Sequence, residues 1–261
     1  MAGIVSDGSQ SLRRGVQLIE FLSNYPNGCP LAKIAEETGL NKSTVHRLLK
    51  NLHSMGYVTP THTSGSYRLT CKFLSIGHKT LASLNIINIA APWLEKLNIE
   101  TGDTVNISSR EGDHAVLVNK FEPTTGMLRT RSYIGQRIEL YCSGMGKIFL
   151  AFSPESYLDK YWKEMQDSIV RFTSHTIVDI KVMRYELARI REERIGYDRE
   201  ENEIGIGCFA APIFSPLGRV DYAISVSLPI YRITDQRRME LIDQVGVIAE
   251  SISNDIGSVN P

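Results

Sequence analysis

The sequence predicts an α+β fold in two parts, and three observations lead to this prediction. Residues 9–56 contain three apolar patterns of helical period, separated by proline and glycine. From Thr104 onward, short β-prone runs with turns between them alternate with further helical patterns. The 261 residues are 42% hydrophobic and 22% charged, which is an ordinary globular composition, and this length suits one large domain or two smaller ones.

Length, apolar runs and cysteine spacing argue against a membrane-spanning, secreted, disulfide-linked or zinc-binding protein. No apolar run is long enough to cross a bilayer, and the N-terminus lacks a charged start followed by an apolar stretch. The four cysteines lie far apart and form no CxxC pair. This spacing argues against a disulfide framework or a zinc cluster, so we expect a cytoplasmic protein without metal or cofactor.

The first 56 residues predict three helices in quick succession. The first pattern stops before Pro26, where the proline ends a helix. The second has Pro30 in its first turn and Gly39 as its C-cap, and the third runs from an N-cap at Asn41 to Gly56. The short link between the second and third helices is typical of a helix-turn-helix.

After Gly56 the pattern changes to two short β-prone runs around Thr61–Ser66, with turn chemistry at Ser64-Gly65. Three helices and a hairpin make a winged helix-turn-helix, whose third helix enters the major groove of DNA. Side chains near the start of that helix meet base edges, and Arg47 is best equipped for a bidentate contact with guanine. We predict base contacts from Lys42, Ser43, Thr44, His46 and Arg47, and phosphate contacts from Arg13, Lys50 and Arg68.

Charge supports an anionic partner for this part of the chain. No acidic residue lies between Lys42 and Gly56. Residues 1–78 hold eight Lys or Arg and four acids, whereas the whole chain holds 29 of each. A basic head on an acidic body suits DNA binding. Helix-turn-helix spacing also occurs in helical domains that bind nothing, and polar helix faces are often merely solvated, so this alternative stays open.

A helical pattern follows from about Cys71, with a kink or break near Asn85 and Pro92. Its apolar residues exceed one narrow stripe. This suits a linker helix that also packs on a second copy of the chain, and a dimer would bring two heads to two half-sites. A helix buried within a single chain explains the pattern equally well.

The remaining residues predict an antiparallel sheet flanked by helices, which is a sensor-like layout. Strands are predicted in 104–123, 127–140, 207–214 and 219–229, with a turn at Ser215–Gly218. Helices are predicted in 142–162 and 179–196, and a last helix runs from Thr234 to near Ile256.

Catalytic motifs are absent from this part of the sequence: there is no GxSxG, HExxH, GxGxxG or complete phosphate loop. An acidic cluster formed by Asp198, Glu200, Glu201 and Glu203 suggests a metal site or an acid/base. No histidine lies nearby in sequence, and we expect these carboxylates to be solvated. An enzyme that uses Asp198 or Glu201 as base is therefore the disfavoured alternative.

Five motifs in order resemble the IclR family of bacterial transcriptional regulators: "LAKIAEETGLNKSTVHRLLKNLHSMGYV", "YRLTCKFLSIG", "YCSGMGKIFLA", "GYDREENEIGIGCFAAPIF" and "YAISVSLP". The resemblance spans residues 9–256. It implies a winged helix-turn-helix domain at 9–71, a linker helix at 72–84 and a GAF-like effector domain at 85–256, assembled as homodimers or homotetramers.

The resemblance also implies an effector pocket for a small carboxylate. The family's binding positions correspond here to Gly144, Met145, Asp198, Cys208, Ser225 and Ser227. The amides at a helix N-terminus would attract the carboxylate, and the hydroxyl and acidic groups would bind its polar substituents. Arg199 and Ile204 depart from the common family pattern, so we expect an altered pocket rim.

Three further phrases, "LSNYPNGCPLA", "SLNIINIAAPWLE" and "EPTTGMLRTR", look like the branch of the family that represses diketogulonate and plant-saccharide utilisation in enteric bacteria. The expected function is thus a ligand-responsive repressor of a sugar-acid operon. Its expected partners are operator DNA and a sugar-acid or other small carboxylate effector.

Overall fold

The computed structural model describes residues 7–62, 65–82, 85–124 and 131–257. The chain divides into an N-terminal unit, Met1–Ser83, and a C-terminal unit, Leu84–Pro261. The helices of the N-terminal unit are α1 (Asp7–Ser23), α2 (Leu31–Thr38), α3 (Lys42–Ser54) and α4 (Lys72–Ala82). Its strands are β1 (Cys29–Pro30), β2 (Val58–Pro60) and β3 (Ser66–Leu69).

The C-terminal unit contains five helices and six strands in its described residues. The helices are α5 (Asn85–Thr101), α6 (Gly144–Ala151), α7 (Glu155–Glu164), α8 (Ile180–Glu193) and α9 (Asp235–Asp255), and a short 3-10 turn spans Ile230–Arg232. The strands are β4 (Thr104–Glu111), β5 (His114–Phe121), β6 (Arg137–Glu139), β7 (Gly196–Arg199), β8 (Ile206–Phe214) and β9 (Val220–Pro229). The predicted α+β content is confirmed.

The helix-turn-helix has the three predicted helices, and α3 ends at Ser54, just before the predicted Gly56. Gly39 ends α2 in the left-handed region, with a φ of 67° that glycine adopts without strain. Asn41 precedes α3 as its N-cap in an extended conformation, although its side chain makes no capping hydrogen bond. One stripe of α3 is buried against α1 and α2, and its residues are Val45, Leu48 and Leu49.

The wing is a small antiparallel sheet in the order β1-β3-β2. The sequence predicted β2 and β3 but missed β1, whose two residues are too few to show a period. Pro30 belongs to β1 and caps α2 instead of lying in its first turn. Ser64 of the predicted turn lies outside the described residues.

The break predicted near Asn85 falls beside residues that the structure does not describe, and at Pro92, the other predicted position, the helix continues. Helix α4 ends at Ala82 and α5 begins at Asn85, while 83 and 84 lie outside the described residues. Pro92 lies inside α5, which continues through it. The helix tolerates this proline because its buried face packs on α9, and such packing supplies most of a helix's stability in a folded protein.

All six strands of the C-terminal unit form one antiparallel sheet in the order β6-β5-β4-β9-β8-β7. Helix α6 packs on β7, β8 and β9 and on α8, while α9 packs on β8 and β9 and on α5. The edge strand β7 was not predicted, because four residues of mixed polarity give no periodic signal. In this order β4, the first strand of the unit, lies beside β9, which is its last strand.

Helix α6 lies unusually close to its neighbours, and its glycines permit this. A Cβ at Gly146 would lie 2.5 Å from the backbone of Leu140. A Cβ at Gly144 would lie 3.1 Å from the Cys208 sulfur. The side chain of Ser143 caps the helix by accepting a 3.1 Å hydrogen bond from the Gly146 amide. This seating holds the N-terminus of α6 against β8.

The inward face of α6 carries a fully buried lysine. The Lys147 ammonium lies 2.5 Å from a carboxylate oxygen of Glu201 and 3.2 Å from one of Glu186. Glu201 is only 2% exposed, so the expectation that it is solvated was wrong. The turn between β7 and β8 folds over α6 and brings Glu201 to the ammonium, which a linear reading of the acidic cluster does not reveal.

The substitution Gly146→Ala should destabilise the C-terminal unit. The added methyl would meet backbone atoms of Leu140, which cannot move as a flexible side chain can. Overpacking of this kind costs about 1–3 kcal/mol, or roughly 2–10 °C in melting temperature. Gly246→Ala on α9 is the matched control, because its Cβ has only an ordinary 4.0 Å contact and alanine favours helix. Equal melting temperatures by calorimetry would contradict the close approach.

The substitution Lys147→Met should also lower the free energy of unfolding. It leaves the buried carboxylate of Glu201 without its cation, a loss of about 3–5 kcal/mol, whereas Glu186 keeps Arg189 at 2.9 Å. The double variant Lys147→Met/Glu201→Leu should regain part of this loss, because it removes the stranded charge. Lys160→Met is the control, because the Lys160 side chain is 65% exposed and its ammonium has a single long contact of 3.9 Å with the carboxylate of Glu164. Urea denaturation of all four proteins measures the differences.

Candidate DNA interface and effector pocket

The outward face of α3 presents the predicted base-reading residues. Lys42, Ser43, His46 and Arg47 are exposed, whereas Thr44 is half-buried. The buried stripe of the same helix fixes its rotation, so these side chains project from the N-terminal unit together. The structure therefore brings the base-reading set onto one accessible surface, with Thr44 at its edge.

The predicted phosphate contacts lie on three elements of the N-terminal unit. Arg13 lies on α1, Lys50 on the last turns of α3, and Arg68 on β3 of the wing, and all three are exposed. Within the part of the chain that the structure describes, none of these three forms an ion pair, and neither Lys42 nor Arg47 does. Their positive charge is therefore available to an external anion.

The six predicted effector residues line a single cavity of about 360 Å³ in the C-terminal unit. These residues are Gly144, Met145, Asp198, Cys208, Ser225 and Ser227. The cavity lies between the N-terminus of α6, the sheet, and the segment 131–139. Its volume is within the usual range for small-molecule sites.

Strand register explains how distant residues meet in this cavity. Asp198 on β7 lies opposite Cys208 on β8, and Cys208 lies opposite Ser227 on β9. Directly opposed residues of an antiparallel sheet point to the same face, so the three form a row across it. Ser225 lies opposite Asn106 of β4 in the neighbouring row.

Asp198 is the buried acid of the cavity. The backbone amides of Glu201 and Asn202 donate to its Oδ1 at 2.7 Å and 3.4 Å. Burial outweighs these hydrogen bonds and raises the pKa of Asp198 to about 7. Burial likewise raises the pKa of Cys208 to about 12, so the thiol stays protonated and neutral.

The cavity also contains positive groups. Gly144 and Met145 of the first turn of α6 line it, and a helix N-terminus attracts anions. Arg131 and Arg137 also line the cavity. Neither guanidinium forms an ion pair with any residue in the described ranges. The cavity thus combines cationic groups with the acids Asp198, Glu139 and Glu203.

Sequence reasoning missed several lining residues, among them Asn106, Arg131, Arg137 and Glu139. Asn106 reaches the site only through the pairing of β4 with β9, across 119 residues of chain. No local pattern encodes such a pairing. The arginines belong to a segment that has little regular structure, so no period marks them either.

The two departures from the family pattern lie away from the cavity wall. Arg199 is stacked 4.8 Å from the centre of the Tyr197 ring and is 3.9 Å from Glu186. Ile204 is 62% exposed. Neither residue lines the cavity, so the expected alteration of the pocket rim does not involve the residues of the cavity wall.

The acidic cluster does not form a metal site. Across residues 7–62, 65–82, 85–124 and 131–257, no group of three or more His, Cys, Asp or Glu side chains is arranged to hold a metal ion. Across the same ranges, none of the helices has the length and apolar character needed to span a membrane.

Two family models match the chain. The IclR helix-turn-helix domain matches residues 11–62, and the C-terminal domain of the bacterial transcriptional regulator IclR matches residues 78–254. The two matches cover the recognition helix α3 and the cavity-bearing unit respectively.

Two relatives that resemble the chain over nearly its whole length are transcriptional repressors. The chain is 57% identical to the DNA-binding transcriptional repressor YiaJ of Escherichia coli K12 over 250 residues, which cover 96% of this chain and 89% of that protein. It is 30% identical to the transcriptional repressor AllR of Salmonella typhi over 97% of this chain and 92% of that protein.

Solved structures of similar proteins have the same fold. The crystal structure of the transcriptional regulator YaiJ is 52% identical with a TM-score of 0.65, and the match covers 67% of this chain and 96% of that one. The IclR protein of Thermotoga maritima is 29% identical with a TM-score of 0.76 over 95% of this chain and 99% of that one. The relatives are regulators and not enzymes, and this chain is a DNA-binding transcriptional repressor of the IclR family.

Proposed function

We propose that the exposed face of α3 reads operator DNA in the major groove. Lys42, Ser43, Thr44, His46 and Arg47 contact base edges, with Arg47 donating to guanine. Arg13, Lys50 and Arg68 contact phosphates and set the register of the head on the duplex. The observation that carries this assignment is a helix face with three exposed cations, no acid and no ion pair among the described residues.

The second part of the proposal is a homodimer, or a homotetramer built from two dimers. Helix α4 exposes Leu74 at 72% and Ile76 at 42%, which is unfavourable for a helix that remains in water. A second copy of the chain would cover this apolar surface. Two heads would then reach two half-sites of one operator. The proposed domains are the DNA-binding head at 9–71, the linker helix at 72–84 and the effector domain at 85–256.

The third part concerns the ligand. The effector is a small carboxylate of the sugar-acid class, and the regulated operon serves the breakdown of such an acid. The cationic groups of the cavity, which are the α6 N-terminus, Arg131 and Arg137, suit a carboxylate. Asp198, Ser225 and Ser227 suit the polar substituents of that ligand. Differential binding to two states of the repressor would change its affinity for the operator.

The double variant Lys42→Ala/Arg47→Ala tests the DNA interface. We expect specific operator affinity to fall by roughly 5- to 150-fold, because a bidentate base contact alone contributes about 1–3 kcal/mol. Fluorescence anisotropy on labelled DNA from the upstream region of the protein's own gene, at two salt concentrations, measures this loss. Lys160→Ala/Lys163→Ala on α7 removes the same charge from the other unit and should leave affinity unchanged. Full operator affinity in the α3 variant would overturn the assignment.

The pH dependence of effector binding tests the pocket. Asp198 is largely protonated below pH 7 and largely ionised above it, and an ionised Asp198 repels a bound carboxylate. Effector affinity should therefore fall as the pH rises from 6 to 8, by up to about tenfold per pH unit above the pKa. Calorimetric titration with D-gluconate and 2-keto-D-gluconate measures the affinity. Asp198→Asn should remove the dependence, whereas Asp221→Asn on the surface of β9 should preserve it; a flat profile in the unmodified protein would contradict the proposal.

A further inference from the structure

The end of the recognition helix α3 is bonded to the start of helix α4. Three consecutive backbone carbonyls that follow α3, those of Met55, Gly56 and Tyr57, accept hydrogen bonds from Thr70 and Lys72. The Lys72 ammonium donates to the Met55 carbonyl at 2.7 Å. The Thr70 hydroxyl donates to the Gly56 carbonyl at 2.6 Å, and the Thr70 amide donates to the Tyr57 carbonyl at 3.0 Å. Carbonyls at a helix end have no partner within the helix, so the start of α4 supplies donors that the end of α3 lacks.

Lys72 contacts the end of α3 in two further ways. Its ammonium lies 4.2 Å from the centre of the Tyr57 ring, which is a cation–π distance. Its side chain passes close to Gly56, so that a Cβ at Gly56 would lie 3.9 Å from the Lys72 Cδ. The C-terminus of a helix carries partial negative charge, and a cation placed there is stabilising. Lys72 therefore acts as a C-terminal cap for α3, although it belongs to a different helix.

Thr70 connects the same two helices through a single hydroxyl. That hydroxyl donates to the Gly56 carbonyl and also accepts a hydrogen bond from the Lys72 amide, at 3.3 Å, where α4 begins. The rings of Tyr57 and Phe73 add an aromatic contact, with their centres 5.3 Å apart. Residues 55–57 and 70–73 thus form a corner that is bonded at several points. These contacts restrict the angle between α3 and α4, because a change in the angle would break more than one of them.

A fixed corner matters because a repressor with two heads must reach two half-sites at once. Half-sites recur at a spacing set by the DNA helix, so each α3 must lie at one distance and one angle from the other. In the proposed dimer the copies join through α4, on which Leu74 and Ile76 are exposed. The angle between α3 and α4 then decides the spacing that the two heads can span. A loose corner would let each α3 pivot and would remove that selection.

We propose that Lys72 and Thr70 are positioning residues that hold α3 at a fixed angle to α4 and so set the half-site spacing that the repressor accepts. They act through the backbone of residues 55–57 and not by contact with a base. This inference rests on the proposed function, in which α3 reads the operator and two copies join through α4. It goes beyond that function, because it assigns spacing selectivity to residues outside the DNA-reading face.

Operator variants with a changed centre test this inference on the full-length protein. Footprinting on the DNA upstream of the gene locates the operator, and two base pairs are then inserted between its half-sites. The unmodified protein should bind the lengthened operator at least about 10-fold more weakly, because its two heads cannot engage together. Lys72→Met and Thr70→Val should lose no more than about 3-fold on the same insertion, since a pivoting head can follow the displaced half-site. Fluorescence anisotropy measures each affinity.

Matched controls separate positioning from charge and from folding. Lys72→Arg keeps a charged donor that can stack on the Tyr57 ring, so it should restore the selectivity. Lys79→Met removes an exposed lysine further along α4 and should bind as the unmodified protein does. The salt dependence of Lys72→Met should match that of the unmodified protein, because the Lys72 ammonium bonds to a carbonyl and not to a phosphate. A variant that melts early is replaced by Lys72→Ala or Thr70→Ala, respectively, with the same expected loss of selectivity.

Each outcome supports or overturns a defined claim. Loss of selectivity in both variants, with rescue by Lys72→Arg, supports the inference. A variant that keeps the selectivity of the unmodified protein removes its residue from the role, and retention by both variants overturns the inference. A lower salt dependence in a Lys72→Met protein that keeps its selectivity assigns Lys72 to a phosphate contact instead. Equal binding of both operators by the unmodified protein overturns the two-head arrangement, and binding to neither overturns α3 as the DNA-reading helix.

Discussion

Helix α6 lies so close to β7 that a Cβ at Gly196 would lie 2.5 Å from the carbonyl oxygen of Gly144, and so close to the preceding turn that a Cβ at Gly146 would lie 2.5 Å from the backbone of Leu140. This packing places the positive end of the helix over the row of Asp198, Cys208 and Ser227. A helix displaced by the width of one methyl group would move its amides away from that row. The electrostatics of the cavity therefore depend on steric contacts between backbone segments.

The buried ion cluster at Lys147 also stabilises this position of α6. Glu201 binds the ammonium through its side chain while its backbone amide donates to Asp198. One residue thus connects the core of the unit to the acid of the cavity. Buried ion pairs contribute little net stability compared with apolar packing, but breaking one is costly. This asymmetry makes the cluster better suited to fixing one arrangement of the turn than to stabilising the fold.

Local patterns predicted most of the fold and part of the site. The amphipathic stripe of α3 predicted both its buried side and its exposed cations, because one helix carries both kinds of information. The six effector positions came from resemblance to a family, and the structure brings them into one cavity. Asn106, Glu139 and the arginines were missed because their place depends on strand order and on an irregular segment. The burial of Glu201 was misjudged for the same reason: its partner lies 54 residues away.

The pairing of β4 with β9 has a consequence for the order in which the protein is made. The ribosome completes α3 and the wing long before it reaches Ser225 and Ser227. Asn106 can pair with both serines only after most of the C-terminal unit has been synthesised. The cavity wall therefore closes only when the last strand is added. A chain that stops short of β9 therefore retains the elements of the DNA-binding head but lacks one wall of the cavity.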